Sequence, residues 1–436
     1  MSNAEALSLA KEIRDSLTSL SSRDPISECG RAPLSIIEQR PGDVLSLAHQ
    51  RIHTWRYDQV PLCWRRLYED ASLWQAVDIL NQHGTRGQKR TRHGSPSAGH
   101  DWLLKLVCVL DMAMILTGAP LRRELILSIF DSLQHCLDPN EHKDISRSFP
   151  VTPSTQPQND TIARAEKLDF LQFQRHLVTK TTPVIIKGVI DDWPAIADQD
   201  RRWSDPSYLL KATLGGRRLV PVELGRTYTD DGWSQRIMTF SEYMKSHLLK
   251  PKQEKTGYLA QHDLFAQIPN LSDDTSIPDY CYTEPPVSEL LTSNIAEILD
   301  EPLRNAWLGP AGTISPLHTD PYHNILCQVV GHKYVRLYAP SETTYLYPRG
   351  IDDTGVNMDN TSHIDISLVK RLYTSDPESK VDDEAKQQFQ AQYPSFNKAQ
   401  CVEGVLGPGE CLYIPIGWWH YIESLSTSFS MSFWWN

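Results

Sequence analysis

The stretch that most constrains the fold of this 436-residue chain is residues 307–340, which read WLGPAGTISPLHTDPYHNILCQVVGHKYVRLYAP. Two short apolar runs, residues 324–330 and 334–338, are separated by Gly331-His332. Apolar runs of that length on either side of a glycine-containing turn predict a β-hairpin. The second half of the chain is therefore expected to be rich in β-strands, with a polar His-Thr-Asp triplet just ahead of the hairpin.

His318 and Asp320 lie two residues apart in that triplet. Side chains alternate along a strand, so an extended triplet would project both from one face. An imidazole and a carboxylate side by side are two of the three ligands in the two-His-one-carboxylate site of non-haem Fe(II) oxygenases. Residues 142–144 and 363–365 form two further His-x-Asp triplets. Only His318 is followed by strand-like runs and then by a lysine, Lys333, on the next strand.

A candidate for a third ligand lies near the C-terminus, in residues 404–422. Their sequence, GVLGPGECLYIPIGWWHYI, predicts a turn, a strand over residues 410–414, a Pro-Ile-Gly turn and a strand that starts at Trp418. His420 lies at the head of that last strand among aromatic residues. Taken alone, His420 is better explained as a hydrogen-bonded core histidine. Together with the triplet, it predicts a metal site held across a barrel by His318, Asp320 and His420.

Five segments of the second half resemble the Jumonji C (JmjC) family of Fe(II)- and 2-oxoglutarate-dependent oxygenases. They are TPVIIKGVIDDWPA, VPVELGRTYTDDGWSQ, YLAQHDLFAQIPNL, the hairpin described above, and GECLYIPIGWWHYIESL. Within the family the chain is most similar to one small branch. The resemblance implies a double-stranded β-helix, the jelly-roll or cupin-like JmjC barrel, in the C-terminal half. It also implies Fe(II) as the metal, with 2-oxoglutarate and O2 as cosubstrates.

The resemblance further implies a pocket for 2-oxoglutarate, whose distal carboxylate needs a buried positive charge. Lys333 fits because it lies between apolar residues on a strand close to the triplet, whereas a surface lysine with a partly buried stem is the alternative. The other residues expected at this pocket are Tyr258, Ser315, Asn324, Trp307 and Trp434. For the two tryptophans, ordinary core packing is an equal alternative.

Glu223 and Trp233 lie in the VPVELGRTYTDDGWSQ segment, and in the branch that the chain resembles their positions belong to the substrate pocket. A carboxylate and an indole can bind a cationic side chain by charge and by a cation–π contact. Gln261 fits the family segment beside Tyr258 and is grouped with them. The implied partner is a protein or peptide with a basic side chain, arginine or methyl-lysine. Histones and chromatin-associated proteins are candidates. Hydroxylation and oxidative demethylation both stay open.

Two other function classes stay open as alternatives. One is a catalytically silent JmjC scaffold, or chromatin-interaction protein, that recruits partners through its helical half. The scaffold alternative is disfavoured because all three ligand positions and Lys333 are present. The other is a metal-dependent peptidase using the same three ligands, which would need a general base beside a metal-bound water and would leave Lys333 unexplained.

The fold class predicted for the whole chain is α+β. Helical periodicity dominates residues 1–145, an all-α domain, with a break expected at residues 118–120, Gly-Ala-Pro. A Pro-, Ser- and Thr-rich linker follows at residues 146–160, and the oxygenase domain occupies residues 161–436, beginning with a short helix at 164–177. An acidic, glutamine-rich insert, residues 378–392, separates Asp320 from His420 and predicts a surface helix or a lid.

The amino-acid composition and the net charge argue against several other kinds of protein. A net charge of −11 argues against broad nucleic-acid binding, and eight cysteines without a C-x-x-C pair argue against a zinc module. No apolar run reaches the roughly 18 residues that a membrane span needs, and the polar N-terminal helix is unlike a secretory signal. We therefore expect a protein of the nucleus and cytoplasm, with no membrane partner. The basic stretch GTRGQKRTRHGSPSAG is either a solvated loop or a nuclear-import or nucleic-acid patch; the oligomeric state is left open.

Overall fold

The structure is a computed structural model, and it describes residues 1–18, 23–86, 101–138, 141–150, 160–229, 232–250, 255–286, 297–351, 355–373 and 383–436. The chain divides into two compact units. The first comprises Met1–Asp144, Leu210–Leu219 and Thr239–Ser241, and the second comprises Ile145–Leu209, Val220–Met238 and Glu242–Asn436. Residues 151–159 of the predicted linker lie outside the described residues, so the domain boundaries stay a prediction.

The first unit is helical, as predicted. Its helices are α1 (Asn3–Thr18), α2 (Arg31–Ile36), α3 (Pro41–Ile52), α4 (Leu62–Arg86), α5 (Asp101–Thr117) and α6 (Arg123–Gln134). Their apolar faces meet in one core around α4, where Leu67, Leu73 and Leu80 are fully buried. The predicted break is confirmed, because α5 ends before Gly118 and Ala119, both of which have positive φ. Most of the basic stretch falls within residues 87–100, outside the described residues.

The rest of the chain is built on two β-sheets. The strands are β1 (Ala163–Ala165), β2 (Val184–Lys187), β3 (Leu219–Leu224), β4 (Ser234–Thr239), β5 (Gly257–His262), β6 (Leu303–Gly309), β7 (Ile314–His318), β8 (His323–Val330), β9 (Lys333–Tyr338), β10 (Cys401–Leu406), β11 (Glu410–Ile414), β12 (Trp419–Ser424) and β13 (Ser428–Trp435). The larger sheet has the order β1-β2-β11-β8-β13-β6-β5-β3-β4, and the smaller sheet has the order β10-β9-β12-β7. The two predicted strands are confirmed as β8 and β9, but the predicted hairpin is wrong, because the two strands do not pair with each other. β8 pairs with β11 and β13 in the larger sheet, and β9 pairs with β10 and β12 in the smaller sheet, so Gly331-His332 connects the two sheets.

A core shared by the two sheets makes them one double-layered barrel. Leu326 and Leu412 from the larger sheet and Val335 and Leu337 from the smaller sheet belong to the same buried cluster. Successive residues of a strand face opposite sides, so every second residue of these strands points into that core. The α+β, cupin-like fold class is confirmed. Among the described residues, every helix is too short or too polar to span a bilayer.

Further helices follow residue 160 in the described part of the chain. They are α7 (Phe170–Thr179), α8 (Pro194–Ala197), α9 (Pro206–Ala212), α10 (Phe240–Tyr243), α11 (Leu264–Gln267), α12 (Pro269–Ser272), α13 (Ile366–Leu372) and α14 (Asp383–Gln392). The helix predicted at residues 164–177 is wrong in its first part, because β1 runs there, parallel to β2. Asp169 sets the true start of α7: its side chain accepts from the Gln172 N–H, while the Gln172 side chain accepts from the Asp169 N–H.

The insert forms the predicted surface helix over the part that the structure describes. This helix, α14, is largely exposed, but Phe389 is buried in a cluster with Tyr338, Trp419 and Tyr421. Those aromatic residues lie on the outer face of the smaller sheet, since they alternate with inward-facing neighbours such as Leu337. The described part of the insert therefore supports the back of that sheet.

Gly331, at the turn that joins β8 of the larger sheet to β9 of the smaller sheet, offers a test of this connection. Its φ is +75°, and a Cβ built there would lie 2.0 Å from the Thr427 carbonyl oxygen. Gly312 has a similar φ of +85°, but a Cβ there would meet nothing within 4 Å. We expect Gly331→Ala to lower the free energy of unfolding by clearly more than Gly312→Ala, which carries only the left-handed backbone strain of about 1–2 kcal/mol. Urea unfolding measures both variants, and equal losses would contradict the close approach at Gly331.

Candidate metal centre

The three predicted metal ligands are brought together by strand pairing. β12 runs antiparallel to β7 and places His420 directly opposite His318. β7 ends at His318, so Asp320 lies in the turn that follows and not on an extended strand with His318. That turn is fixed from the other side, because the Gly417 N–H donates to the Asp320 carbonyl oxygen at 3.3 Å. Two distant segments of the chain thus meet at one point.

The ligand atoms of these residues have the spacing of donors around a single ion. His318 Nε2 lies 3.6 Å from Asp320 Oδ1, and His420 Nε2 lies 3.4 Å from Asp320 Oδ2. The ligand atoms of all three residues fall within 4.8 Å of one another, and no second group of this kind occurs in the described part of the chain. Two nitrogen or oxygen ligands that are each about 2.1 Å from an ion are roughly 3–4 Å apart. Small adjustments would therefore bring all three atoms onto one metal.

Both imidazoles are held in the tautomer that metal binding requires. His318 Nδ1 lies 2.7 Å from the Pro316 carbonyl oxygen, and His420 Nδ1 lies 3.0 Å from the Trp418 carbonyl oxygen. A carbonyl oxygen can only accept a hydrogen bond, so each Nδ1 carries the proton. Each Nε2 lies beside Asp320 and, when unprotonated, is the nitrogen that offers a lone pair to a metal ion. Backbone acceptors of this kind orient histidine ligands in many metal sites.

The electrostatics of the cluster suit a divalent cation. Burial, followed by the neighbouring His420, lowers the pKa of His318 to about 4, so this ring is neutral at pH 7. Burial alone would raise the pKa of Asp320, but the hydrogen bond and charge of His420, with His318, leave that pKa below its ordinary value. The centre therefore offers an ionised carboxylate beside imidazole nitrogen donors.

Lys333 is a buried cation without an anionic partner. It begins β9, is 1% exposed, and its Nζ donates to the Tyr258 hydroxyl at 3.2 Å. Within the described residues, no carboxylate oxygen lies within 4.0 Å of its Nζ. Burial lowers the pKa of Lys333 to about 7. The alternative that Lys333 is a surface lysine is therefore wrong. A bound anionic ligand would compensate its buried charge.

A cavity of about 330 Å³ opens beside the three ligands. Most of the residues predicted for the site line it: Glu223, Tyr258, Gln261, Trp307, Ser315, His318, Asp320 and Trp434. The structure adds five that the sequence analysis did not identify: Tyr228, Ala260, Ile314, Pro321 and Asn360. Tyr228 lies in the family segment that contains Glu223 and Trp233, so that segment held a signal for it. No sequence signal pointed to Asn360, because it lies in the long region between Asp320 and His420, outside the family segments.

Four predicted residues do not line the cavity, but each contacts or is paired with a residue that does; one of them, His420, is paired with His318. Asn324 is opposite Trp434 in the pairing of β8 with β13, and its Oδ1 is buried without a hydrogen-bond partner in the described part of the chain. Lys333 reaches the cavity wall through Tyr258, as described above. Trp233 donates its Nε1–H to Glu223 Oε2 at 3.4 Å, and burial raises the pKa of Glu223.

Backbone strain and edge pairing shape the rim of the cavity. Gln261 has a φ of +47° where the pairing of β5 with β6 is irregular, and such strained residues concentrate at functional sites. On the opposite side, Asn360 and Ser362 pair with the edge of β7. The Thr319 N–H donates to the Asn360 carbonyl and the Ser362 N–H donates to the Leu317 carbonyl, both at 2.9 Å. These contacts bring Asn360 to the cavity.

Comparison with known proteins agrees with this architecture. The cupin-like domain family matches residues 170–436. Jumonji C domain-containing protein 5 of Drosophila melanogaster is 33% identical over 396 residues, which cover 89% of this chain and 84% of that protein. The chain belongs to the JmjC family. The family predicted from the sequence segments is confirmed.

Two further JmjC relatives carry the name lysine-specific demethylase 8. The protein of Danio rerio is 31% identical over 420 residues, covering 95% of this chain and 91% of that protein. The protein of Xenopus tropicalis is 43% identical over 264 residues, covering 61% of this chain and 50% of that protein. This chain therefore spans half the length of the frog protein. The small branch predicted from the sequence is the one to which these names belong.

The unpaired charge of Lys333 is expected to lower the stability of the ligand-free protein while it favours binding of an anion. The pKa of Lys333 is about 7 in the folded state, which is below its value in the unfolded chain. Below pH 7 the buried charge therefore lowers the free energy of unfolding by its full amount, and this loss disappears as the pH rises toward 10. We expect Lys333→Met to raise the free energy of unfolding of the ligand-free protein at pH 7 by a few kcal/mol, at roughly 1.4 kcal/mol per pKa unit. The gain should shrink at higher pH. Urea unfolding at several pH values measures it.

Lys370→Met is the matched control for that prediction. Lys370 is partly exposed and pairs with Glu423. Removing it takes away the cationic partner of Glu423, which keeps, among the described residues, only the hydrogen bond from the Tyr421 hydroxyl, so no stabilisation is expected. A Lys333→Met variant no more stable than the Lys370→Met variant would contradict the buried, unpaired charge.

Proposed function

We propose that this JmjC protein is an Fe(II)- and 2-oxoglutarate-dependent oxygenase that modifies a cationic side chain, arginine or methyl-lysine, of a protein substrate. One observation carries the proposal: a His-Asp-His cluster and a buried, unpaired lysine belong to the same cavity region. A metal site alone would fit many enzymes. The lysine adds a place for an anionic cosubstrate, and the names of the relatives, lysine-specific demethylase 8, add a protein substrate.

His318, Asp320 and His420 would hold the iron. Two imidazole nitrogens and a carboxylate oxygen on one side of an ion leave its other positions open for further ligands. When bound, iron supplies the activation of O2 that couples decarboxylation of 2-oxoglutarate, to succinate and CO2, with oxygen insertion into a substrate C–H bond. The protein supplies placement of the two substrates and the exclusion of bulk water.

Lys333 would bind the distal carboxylate of 2-oxoglutarate. The Tyr258 hydroxyl already contacts its Nζ, and the unpaired amide oxygen of Asn324 leaves that side chain with unused hydrogen-bonding capacity. Ser315 would offer a further hydroxyl, while Trp307 and Trp434 would form apolar walls. Trp307 is held in place by its Nε1–H, which donates to Ser432 Oγ at 2.9 Å. An anion that satisfies Lys333 removes its desolvation penalty, and this supplies binding energy.

Glu223 would recognise the cationic side chain of the substrate. It lines the cavity, burial raises its pKa, and no Lys or Arg nitrogen lies within 4.0 Å of its carboxylate among the described residues. Trp233 fixes one carboxylate oxygen through its indole N–H. The cavity region thus combines an uncompensated cation, Lys333, with an uncompensated acid, Glu223. Two uncompensated charges of opposite sign fit a site that binds an anionic cosubstrate and a cationic substrate together.

The choice between hydroxylation and demethylation depends on which carbon of the substrate reaches the metal. Oxygen inserted into an N-methyl group gives an unstable product that loses the methyl carbon, whereas on a side-chain carbon it stays as a hydroxyl. Gln261 and Tyr228 line the cavity with Glu223 and would help to place that carbon. A histone or chromatin-associated substrate, and with it a nuclear location, rests on the family resemblance.

The first test separates this function from the silent scaffold and the peptidase. Fe(II) and 2-oxoglutarate are added without oxygen, and the visible metal-to-ligand charge-transfer band is recorded; oxygen is then admitted and succinate is measured. We expect both signals from the wild type. Lys333→Ala should weaken 2-oxoglutarate binding by about 2–5 kcal/mol, the cost of removing one partner of a buried charge pair. Lys370→Ala should leave it unchanged. A folded wild type lacking both signals would favour the scaffold, and peptide cleavage without succinate would favour the peptidase.

The second test addresses the substrate. Peptides with a central arginine, dimethyl-lysine or alanine are incubated with the loaded enzyme and analysed by mass spectrometry for gain of an oxygen atom or loss of a methyl group. We expect Glu223→Gln to raise KM for the cationic peptide while leaving the charge-transfer band intact, because the lost charge contacts the substrate alone. Glu242→Gln is the control, since Glu242 forms an exposed pair with Arg236. Equal KM values for the two variants would remove Glu223 from substrate binding.

A further inference from the structure

His323 is a buried histidine that belongs neither to the predicted metal ligands nor to the lining of the cavity. It begins β8, three residues after Asp320, and is 1% exposed. Side chains alternate along a strand, so His323 faces the side of the sheet opposite to that of Asn324. Its ring is packed against those of Tyr413 and Trp435, with centroid distances of 5.9 and 5.5 Å.

One nitrogen of this ring contacts a turn of the backbone. The Ile416 N–H donates to His323 Nδ1 at 3.4 Å, and the Tyr413 hydroxyl lies 2.9 Å from the same atom. A backbone N–H can only donate, so Nδ1 is the acceptor and the ring proton is on Nε2. Burial lowers the pKa of His323 to about 4, which keeps the ring neutral and able to accept.

That turn connects directly to the metal centre. Ile416 is followed by Gly417, whose N–H donates to the Asp320 carbonyl oxygen at 3.3 Å. Two successive N–H groups of the turn are therefore held by the segment that carries Asp320, one by the backbone of Asp320 and one by the side chain of His323. Three residues beyond Gly417 is His420. The contact thus joins the two segments that bring separate ligands to the same ion.

We propose that His323 is a positioning residue that fixes the turn at residues 415–417 against the Asp320 segment and so sets the spacing of Asp320 and His420. The proposal rests on the metal site proposed above. Without the imidazole acceptor, the Ile416 N–H loses its bond, and of the two N–H contacts from residues 416 and 417 to the Asp320 segment only the 3.3 Å contact of Gly417 is left. His420 would then sample positions farther from Asp320, at a cost in metal affinity.

Two conservative variants test the proposal. In His323→Asn the side-chain oxygen lies near the position of Nδ1, whereas in His323→Gln it lies near that of Nε2, where Ile416 cannot reach it. Cobalt(II) is titrated into the metal-free protein and its visible absorption gives Kd, which requires no turnover. We expect the Gln variant to bind Co(II) about 10- to 100-fold more weakly, the usual effect of losing a residue that orients a ligand. The Asn variant should stay close to the wild type.

Controls separate positioning from general stability. Tyr413→Phe removes the phenol but keeps the Ile416 bond, so its Kd should match that of the wild type. Urea unfolding of the metal-free variants shows whether Asn and Gln differ in stability, and hydrogen exchange across residues 415–419 should be faster only in the Gln variant. Equal Co(II) affinity of the Asn and Gln variants would overturn the role of His323. A wild type that binds no Co(II) would instead refute the metal site itself.

Discussion

The antiparallel pairing of β7 with β12 is the constraint on which the metal centre depends. It places His318 and His420 opposite each other, and because side chains alternate along a strand, a slip of one residue would turn His420 to the outer face. The residues on either side of His420 prevent that slip. Trp419 and Tyr421 are buried in the outer aromatic cluster. If the two faces were exchanged, the imidazole of His420 would lie in that cluster, and the rings of Trp419 and Tyr421 would point into the barrel. Aromatic packing outside the sheet thus fixes the ligand inside it.

The long region between Asp320 and His420 supports that register. Phe389 of α14 packs into the same outer cluster as Trp419 and Tyr421, while Asn360 and Ser362 pair with the edge of β7. One part of the region therefore supports the outer face of the sheet, and another reaches the rim of the cavity. Changes in this region would alter substrate contacts without changing the ligands, because His318, Asp320 and His420 all lie outside it.

The candidate site also departs from what stability alone would favour. Lys333 is buried without an anion, Glu223 lacks a basic partner among the described residues, and Gln261 has a strained backbone. Each lowers stability, and each lines the cavity or contacts a residue that does. Uncompensated charges of opposite sign in one region are difficult to explain as packing. They are expected where charged ligands complete the structure on binding.

Local sequence determined the elements whose signals are local. The apolar runs on either side of Gly331-His332 are β8 and β9, the strand predicted at residues 410–414 is β11, and the Gly-Ala-Pro break separates α5 from α6. Tertiary structure decided that β8 and β9 lie in different sheets and do not form the predicted hairpin. The family segments pointed to His318, Asp320 and His420. Tertiary structure alone decided that Asp320 lies in a turn, that residues 163–165 pair with β2, and that Asn360 reaches the cavity. Each of these depends on hydrogen bonds between segments remote in sequence, which no local pattern of residues encodes.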